Sequence, residues 1–442
     1  VLRKLRTDAR AIIDACLQAV DPEAAVRRYV SVDGNDVVVA EKLRLPLREI
    51  DRIFVVGAGK GTAPMAKAVE DIMGDRISAG AICVKYGHGL PLHRIRVFEG
   101  GHPLPDAAGQ HATQEIMDLI RQAGPQDLII SCISGGGSAL LPAPVPPATL
   151  ADKQALTDCL LACGATIHEI NTLRKHLSLS KGGNLMKLAY PARVVNLMLS
   201  DVVGDDMDTI ASGPFVPDAT TYQDALKILE HYDLLSRVPA SVLRHYQEGA
   251  NGSIPETPKP GDPIFEKALN VIVGSNIQAL CAGREKAKLL GYFALVLSST
   301  MEGHTAELAR THAAIARETG TTGNPVSAPA CILSGGETTV VIKGTGLGGR
   351  NQEFALNLVN VAAQIPNSLF VSIGTDGTDG PTDAAGAMVD SETLARARAM
   401  GLDPEEFAQR SDSYHFFQQL GDLVITGPTR TNVMDVRICL VG

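Results

Sequence analysis

Short apolar runs recur along the chain. Each gives way to a loop of Gly, Ser or Asp and then to a stretch whose apolar residues fall three or four positions apart. Ile53–Val56 runs into Gly57-Ala58-Gly59-Lys60-Gly61, and Met65, Val69 and Ile72 then keep a helical period. Ala81–Val84, Asp127–Ile133 and Val194–Leu199 are further strand-like runs, the last two ending in Ser134-Gly135-Gly136-Gly137-Ser138 and Ser200-Asp201. Strand-length runs alternating with helical patterns predict a parallel, doubly wound sheet. In such sheets the loops at the carboxyl ends of the strands carry the ligand.

The stretch 249–263 is rich in Gly, Pro, Asn and Ser and reads as a linker or long loop. After it the rhythm restarts: Asn270–Val273, a helical stretch through Ala279, Ala282 and Ala287, then Leu295–Leu297, Ala330–Leu333 and Leu369–Ile373. At roughly 150 residues per domain, 442 residues suit two or three domains. The boundary is expected near 260, giving domains 1–260 and 261–442.

Composition narrows the function. The formal charge of −9 and the 4% aromatic content give nucleic-acid phosphates and anionic membranes little to hold. No apolar run reaches the roughly 18 residues of a membrane span, and the N-terminal segment lacks a signal-peptide pattern. The eight cysteines are scattered without a CxxC pair, as expected of reduced core residues in a cytoplasmic protein.

Six loops are candidates for chemistry. Gly57–Thr62 is neither a Walker A motif nor a dinucleotide fingerprint, since Thr62 stands at the third Gly position and the next strand ends Val84-Lys85-Tyr86. It remains a glycine-rich strand-to-helix turn whose amides and Lys60 suit an anion. Ser134–Ser138, with three consecutive glycines, can form an anion nest. On a helix, Asn171, Arg174 and Lys175 are neighbours that either flank an anion or form a solvated cationic face. Asp201 follows a strand directly and is a candidate general base or Mg²⁺ ligand. Ser334-Gly335-Gly336-Glu337-Thr338 echoes the first Ser-Gly loop, either as a second anion loop or as an unrelated turn. The glycine run 344–349 opens a helix over Asn351–Ala363 with Arg350 at its start. Gly374–Asp383 carries Asp376, Asp379 and Asp383 on a glycine-rich loop; Mg²⁺ uses one or two carboxylates with waters and substrate phosphates, which suits such a loop.

Taken together, these motifs resemble the glycerate 2-kinase family, whose C-terminal part is the MOFRL domain, here about 330–442. The set is Gly59-Lys60, Gly101-His102-Pro103, Ser134–Ser138, Asn171…Arg174-Lys175-His176…Lys181-Gly182-Gly183, Ser200-Asp201, Ala211–Pro214, Gly335–Thr338, Gly348–Glu353 and Thr375–Gly380. The resemblance spans nearly the whole chain; Val203, Asn184 and His304 depart from the family pattern. It implies a larger N-terminal doubly wound, Rossmann-like α/β/α domain and a smaller C-terminal α/β domain, with the active site in the cleft between them. It also implies ATP- and Mg²⁺-dependent phosphorylation of D-glycerate at the 2-hydroxyl; a monomer or homodimer is expected. Lys60 and Arg350 would be the principal cations, and Asp201 is assigned as the base. Gly59, Ser134, Gly135, Gly136, Gly137, Ser138, Asn171, Arg174, Gly335, Gly336, Glu337 and Asn351 are assigned to substrate or nucleotide, and Asp376 and Asp379 to the metal. Some relatives are called hydroxypyruvate reductases, so an NAD(P)H-dependent reductase is the alternative.

Overall fold

The computed structural model describes residues 1–442, which form two compact units, Pro22–Val273 and Val1–Asp21 with Gly274–Gly442. The chain is an α/β protein of two domains.

The first unit begins with a three-stranded antiparallel sheet of β1 (Val30–Asp33), β2 (Asp36–Val39) and β3 (Leu43–Pro46). Its main sheet holds β4 (Ile53–Ala58), β5 (Ile77–Lys85), β6 (Ile95–Gly100), β7 (Leu128–Ile133), β8 (Arg193–Leu199) and β9 (Ala268–Gly274), in the order β6-β5-β4-β7-β8-β9. Strands β4 to β8 pair in parallel. Every residue of β4 and β7 is buried, which is why these strands read as continuous apolar runs. Helix Ala107–Arg121 packs Ile116, Met117 and Ile120 into a core with Phe54, Val56, Ile129 and Met198. A second core, built on Leu156, Leu160, Leu173, Leu229 and Tyr246, gathers helices Leu150–Ala162, Ile167–His176, Tyr222–His231 and Ala240–Ala250. Three of these open with capping boxes, Thr149/Asp152, Thr166/Glu169 and Thr221/Asp224.

The second unit is a mixed sheet of β10 (Phe293–Met301), β11 (Ala330–Gly336), β12 (Ser368–Gly374), β13 (Gly386–Asp390), β14 (Leu423–Val424) and β15 (Asp435–Val441), ordered β10-β11-β15-β12-β13-β14. Only β10 and β11 pair in parallel. The final strand runs antiparallel between β11 and β12, so the parallel pattern expected from the restarted rhythm is not kept.

The expected boundary is corrected at both ends. The first 21 residues belong with the C-terminal unit. Helix Leu2–Ala19 buries Leu5, Ala9, Ile12, Ile13 and Cys16 along one stripe and lies against helix Asn276–Leu289. A Cβ on Gly283 would come 2.5 Å from Cys16 Sγ, so glycine lets the two helices approach. Asp8 accepts a 2.6 Å hydrogen bond from Tyr292, and Arg6 pairs with Asp390 and Asp422. Of the two readings of the 249–263 stretch, the long loop holds: it belongs to the first unit rather than linking two domains. Thr257 Oγ1 donates to Asp218 at 2.9 Å, and Glu256 meets His176 Nε2 at 3.1 Å. Side-chain bonds thus fix a segment whose Pro and Gly residues rule out regular structure. No helix is long and apolar enough to cross a membrane.

Candidate active site

The sheet order of the first unit reverses between β4 and β7, and the loops leaving these two strands interlock. The amide of Gly59 donates to Cys83 O at 3.1 Å, that of Lys60 to Gly135 O at 2.9 Å, that of Gly61 to Ser134 Oγ at 2.9 Å and that of Thr62 to Gly59 O at 3.3 Å. Pro64, in the first turn of helix Thr62–Met73, has no amide hydrogen. The donors of the Gly57–Thr62 loop are therefore engaged inside the fold. In Ser134–Ser138 the amides of Gly135 and Gly136 bond to no group of the protein. Gly136 lies at φ +82°, and a Cβ there would meet the His102 ring at 2.8 Å and Lys60 Cγ at 3.6 Å. A Cβ on Gly135 would overlap the Asp201 carboxylate. Glycine is thus required at Gly136 by its left-handed backbone and the His102 ring, and at Gly135 by the Asp201 carboxylate.

Ser138 Oγ lies 3.0 Å from Ser212 Oγ, which donates to Asn171 Oδ1 at 2.9 Å. The Asn171 amide nitrogen is buried without a partner. Arg174, on the same helix, and Lys153, on helix Leu150–Ala162, line a cavity of about 210 Å³ with His102, the Pro103–Pro105 turn and the rim of the glycine loop. Lys153 is 5% exposed, and Lys181, fully buried, donates to Leu141 O at 3.3 Å. Neither they nor Arg174 pairs with a carboxylate, whereas Lys175 points elsewhere to Asp208 at 2.8 Å. Burial, with Arg174 adding repulsion, lowers the Lys153 pKa to about 8, and burial, then Lys153 and Arg174, lowers that of Lys181 well below its usual value. Burial and the nearby Lys60 hold His102 at about 4, so its ring is neutral at physiological pH.

The depressed Lys153 pKa makes a stability prediction. Below pH 8 the ammonium is charged in the folded and unfolded states and carries the full cost of burial. Between about pH 8 and 10.4 the folded state binds fewer protons than the unfolded one, so stability rises with pH through this window. Lys153→Met is expected to melt above the wild type at pH 7, with the gap narrowing from pH 8 to 10. Thermal melts of both proteins across this range check it; a gap independent of pH contradicts it.

In the second unit, Arg350 opens helix Arg350–Ala362. Its guanidinium grips Asp435 through Nε at 2.8 Å and Nη2 at 3.1 Å, and donates through Nη1 to Glu337 at 2.6 Å. Burial opposes its charge, but Asp435, Glu337 and Asp379 together outweigh burial, and the pKa is raised. Asp435 is fully buried on β15 and also accepts from Asn351 Nδ2 at 3.0 Å and Arg437 at 3.0 Å. Asp379 accepts the amides of Asn351 at 3.0 Å and Gln352 at 2.8 Å, together with Asn351 Nδ2 at 3.2 Å. It closes the N-terminus of the Arg350 helix. Burial pushes its pKa up to about 6 against those amides, and Asp435 pushes the same way. Asp376 accepts from the Thr378 amide at 3.1 Å and hydroxyl at 3.2 Å. No group of three or more His, Cys, Asp or Glu gathers into a metal cage.

The residues expected from sequence therefore sort by unit. Gly59, Lys60, Ser134, Gly135, Gly136, Gly137, Ser138, Asn171, Arg174 and Asp201 gather at the strand ends of the first. Glu337, Arg350, Asn351 and Asp379 join one network in the second. Gly335 and Gly336 lie inside β11 rather than in a loop, so the two Ser-Gly stretches are not structural counterparts. A Cβ on Gly335 would overlap Asn276, and Gly336, at φ +123°, abuts the Met301 backbone. Lys153 and Asp435 stand in no motif, and His102 and Lys181 stand only as parts of motifs. The one local signal for Asp435 was a charge at the head of a strand that is apolar apart from Arg437.

Comparison with known proteins bears on the whole chain. Residues 8–247 match the model of a domain of unknown function, DUF4147, and residues 330–435 match the MOFRL family. The chain is 39% identical over 431 residues to the glycerate 2-kinase of Pyrococcus horikoshii, covering 97% of this chain and 96% of that protein. It is 42% identical to a protein of Agrobacterium vitis that bears a provisional hydroxypyruvate reductase name, covering 98% and 94%. It superposes on the crystal structure of a glycerate kinase from Thermotoga maritima with a TM-score of 0.89 at 38% identity, over the whole of both chains. The chain belongs to the glycerate 2-kinase family of the MOFRL-domain type.

Proposed function

We propose that this protein transfers the γ-phosphoryl group of ATP to the 2-hydroxyl of D-glycerate, giving 2-phosphoglycerate and ADP, and that it does so in the cytoplasm, in keeping with its eight unpaired cysteines. The observation that carries the reading is the anion site at the ends of β4, β7 and β8. Open amides of Gly135 and Gly136, the buried Lys153 and half-buried Arg174, neither paired with a carboxylate, and one carboxylate, Asp201, gather around it. Phosphoryl transfer needs positioning and charge neutralisation more than covalent chemistry. The strand order β6-β5-β4-β7-β8-β9 supports a doubly wound, Rossmann-like reading of the first unit, with this site at its topological switch point.

In this reaction a bond forms between the glycerate 2-oxygen and the γ-phosphorus, and the bond from that phosphorus to the β-phosphate bridging oxygen breaks. Asp201 takes the hydroxyl proton. Lys60 and Arg350 hold charge on the transferred group, Arg350 through the outward Nη1 that now contacts half-exposed Glu337. Mg²⁺, when bound, neutralises phosphate charge. The donor set suits an ion held mostly by phosphates and water, with Asp376 as its carboxylate. Asp379, engaged with three N–H donors, holds the Arg350 helix in place.

The reductase reading is favoured by the name of the Agrobacterium relative. It requires a pyrophosphate seat on the Gly57–Thr62 loop, where the amides are engaged, and an acidic ribose acceptor at the end of β5, where Lys85 stands. Thermal shift separates the two. MgATP at about a hundred times its Kd is expected to stabilise the protein by about 2.7 kcal/mol, with NADH inert. Stabilisation by NADH and none by MgATP reverses the assignment.

A further inference from the structure

We infer that the cavity bounded by Lys153, Arg174 and His102 is the subsite for the carboxylate of the hydroxy-acid substrate, with Lys153 as its principal recognition residue. The inference rests on the proposed kinase reading and extends it to the part of the substrate that does not react.

Three observations carry it. The first is the charge. A nearly buried ammonium is stable only when it is paired or when it deprotonates. Lys153 pairs with no carboxylate, and the charges that act on it and on Lys181 are those of other cations. This positive pocket sits in a chain of net charge −9. An anion entering the cavity supplies the missing counter-charge, and Arg174 offers a planar fork that matches a carboxylate.

The second is size. At about 210 Å³ the cavity is smaller than the roughly 300–1,000 Å³ typical of pockets for drug-sized ligands. It has room for a three-carbon acid but not for a nucleotide. A phosphate group seated there would have to leave its nucleoside outside.

The third is direction. Lys153, Gln154 and Thr157 share one face of helix Leu150–Ala162, and that face lines the cavity. Gly136 and Ser138 line the same cavity. A hydroxy acid anchored by its carboxylate on Lys153 and Arg174 directs its hydroxyl end toward Gly136. There His102 and Lys60 converge, and Asp201 abuts the adjoining Gly135. The neutral His102 ring adds a hydrogen-bonding wall without a second charge. Carboxylate recognition and phosphoryl chemistry thus occupy adjacent ends of one short substrate.

The experiment is calorimetric titration of the full chain with D-glycerate, with D-lactate, which shares the carboxylate and the 2-hydroxyl, with glycerol, which lacks the carboxylate, and with MgATP. Wild type, Lys153→Met and Lys153→Arg are compared. Loss of a charge-assisted hydrogen bond is expected to weaken D-glycerate and D-lactate roughly 10–100-fold in Lys153→Met. Lys153→Arg recovers most of that loss, and MgATP and glycerol bind all three proteins alike. Because these are binding measurements, D-glycerate that binds through Lys153 but is not phosphorylated upholds the subsite while defeating the kinase reading. Unchanged glycerate affinity in Lys153→Met overturns the subsite. So does a loss confined to MgATP, which would assign the cavity to a nucleotide phosphate. Failure of the wild type to bind either acid overturns it as well.

Discussion

Arg350→Lys is expected to lower kcat roughly 10³-fold, the lower end of what removing a phosphoryl-stabilising arginine costs. Lysine keeps the positive charge but loses the fork. In the native protein, two arms of the guanidinium are fixed on buried Asp435 and one reaches outward to Glu337, so the side chain is oriented before substrate arrives. The Glu337 contact is half exposed, and such pairs contribute only about 0–1 kcal/mol, so a phosphoryl oxygen can displace it. A lysine ammonium can satisfy Asp435 or the phosphoryl group, but not both in one geometry. The fold tolerates the change, because Asp435 retains Asn351 and Arg437 as donors. A net loss of about 1 kcal/mol corresponds to a fall in Tm of roughly 2–4 °C. Steady-state kinetics with a melt of the same preparation checks both halves. A kcat within tenfold of wild type removes Arg350 from the reaction.

Asp201→Asn is expected to cost roughly 10²–10⁴-fold in kcat, the range of general base catalysis. The substitution preserves size and leaves Gly135 with a neighbour of the same shape, so the loop need not move. The KM for MgATP should hold within a few-fold, since asparagine removes a proton acceptor rather than a phosphate contact. Near-normal turnover would show that proton removal does not depend on Asp201. A large rise in KM for MgATP with kcat intact would make it a binding residue instead.

Much of the first unit was legible because its features are local. The apolar runs of β4 and β7, the glycine loops behind them and Asp201 after β8 are all contiguous signals, and the fold brings these three loops together. The helical cluster around Tyr246 escaped, although three of its helices begin with a local Thr-x-x-acid capping box. What else escaped depends on contacts far apart in the chain. Lys153 reads in sequence as an ordinary helix-surface lysine, and only the packing of its helix beside Arg174 and Lys181 buries it. Asp435 meets Arg350 across 85 positions, with no motif around it. The stripe Leu5, Ala9, Ile12, Ile13 and Cys16 announces an amphipathic helix but not the surface it covers, and so the N-terminal helix was placed in the wrong domain. The antiparallel entry of β15 between β11 and β12 is a topological fact that no periodicity carries.

The most direct test of the kinase account is product formation from D-glycerate, ATP and Mg²⁺, read through enolase and pyruvate kinase with no phosphoglycerate mutase present. A signal is predicted without mutase, because enolase accepts only the 2-phosphate. A signal that appears only when mutase is added would contradict phosphorylation at the 2-hydroxyl. No signal in either case, with NADH consumed by hydroxypyruvate, would contradict the kinase itself.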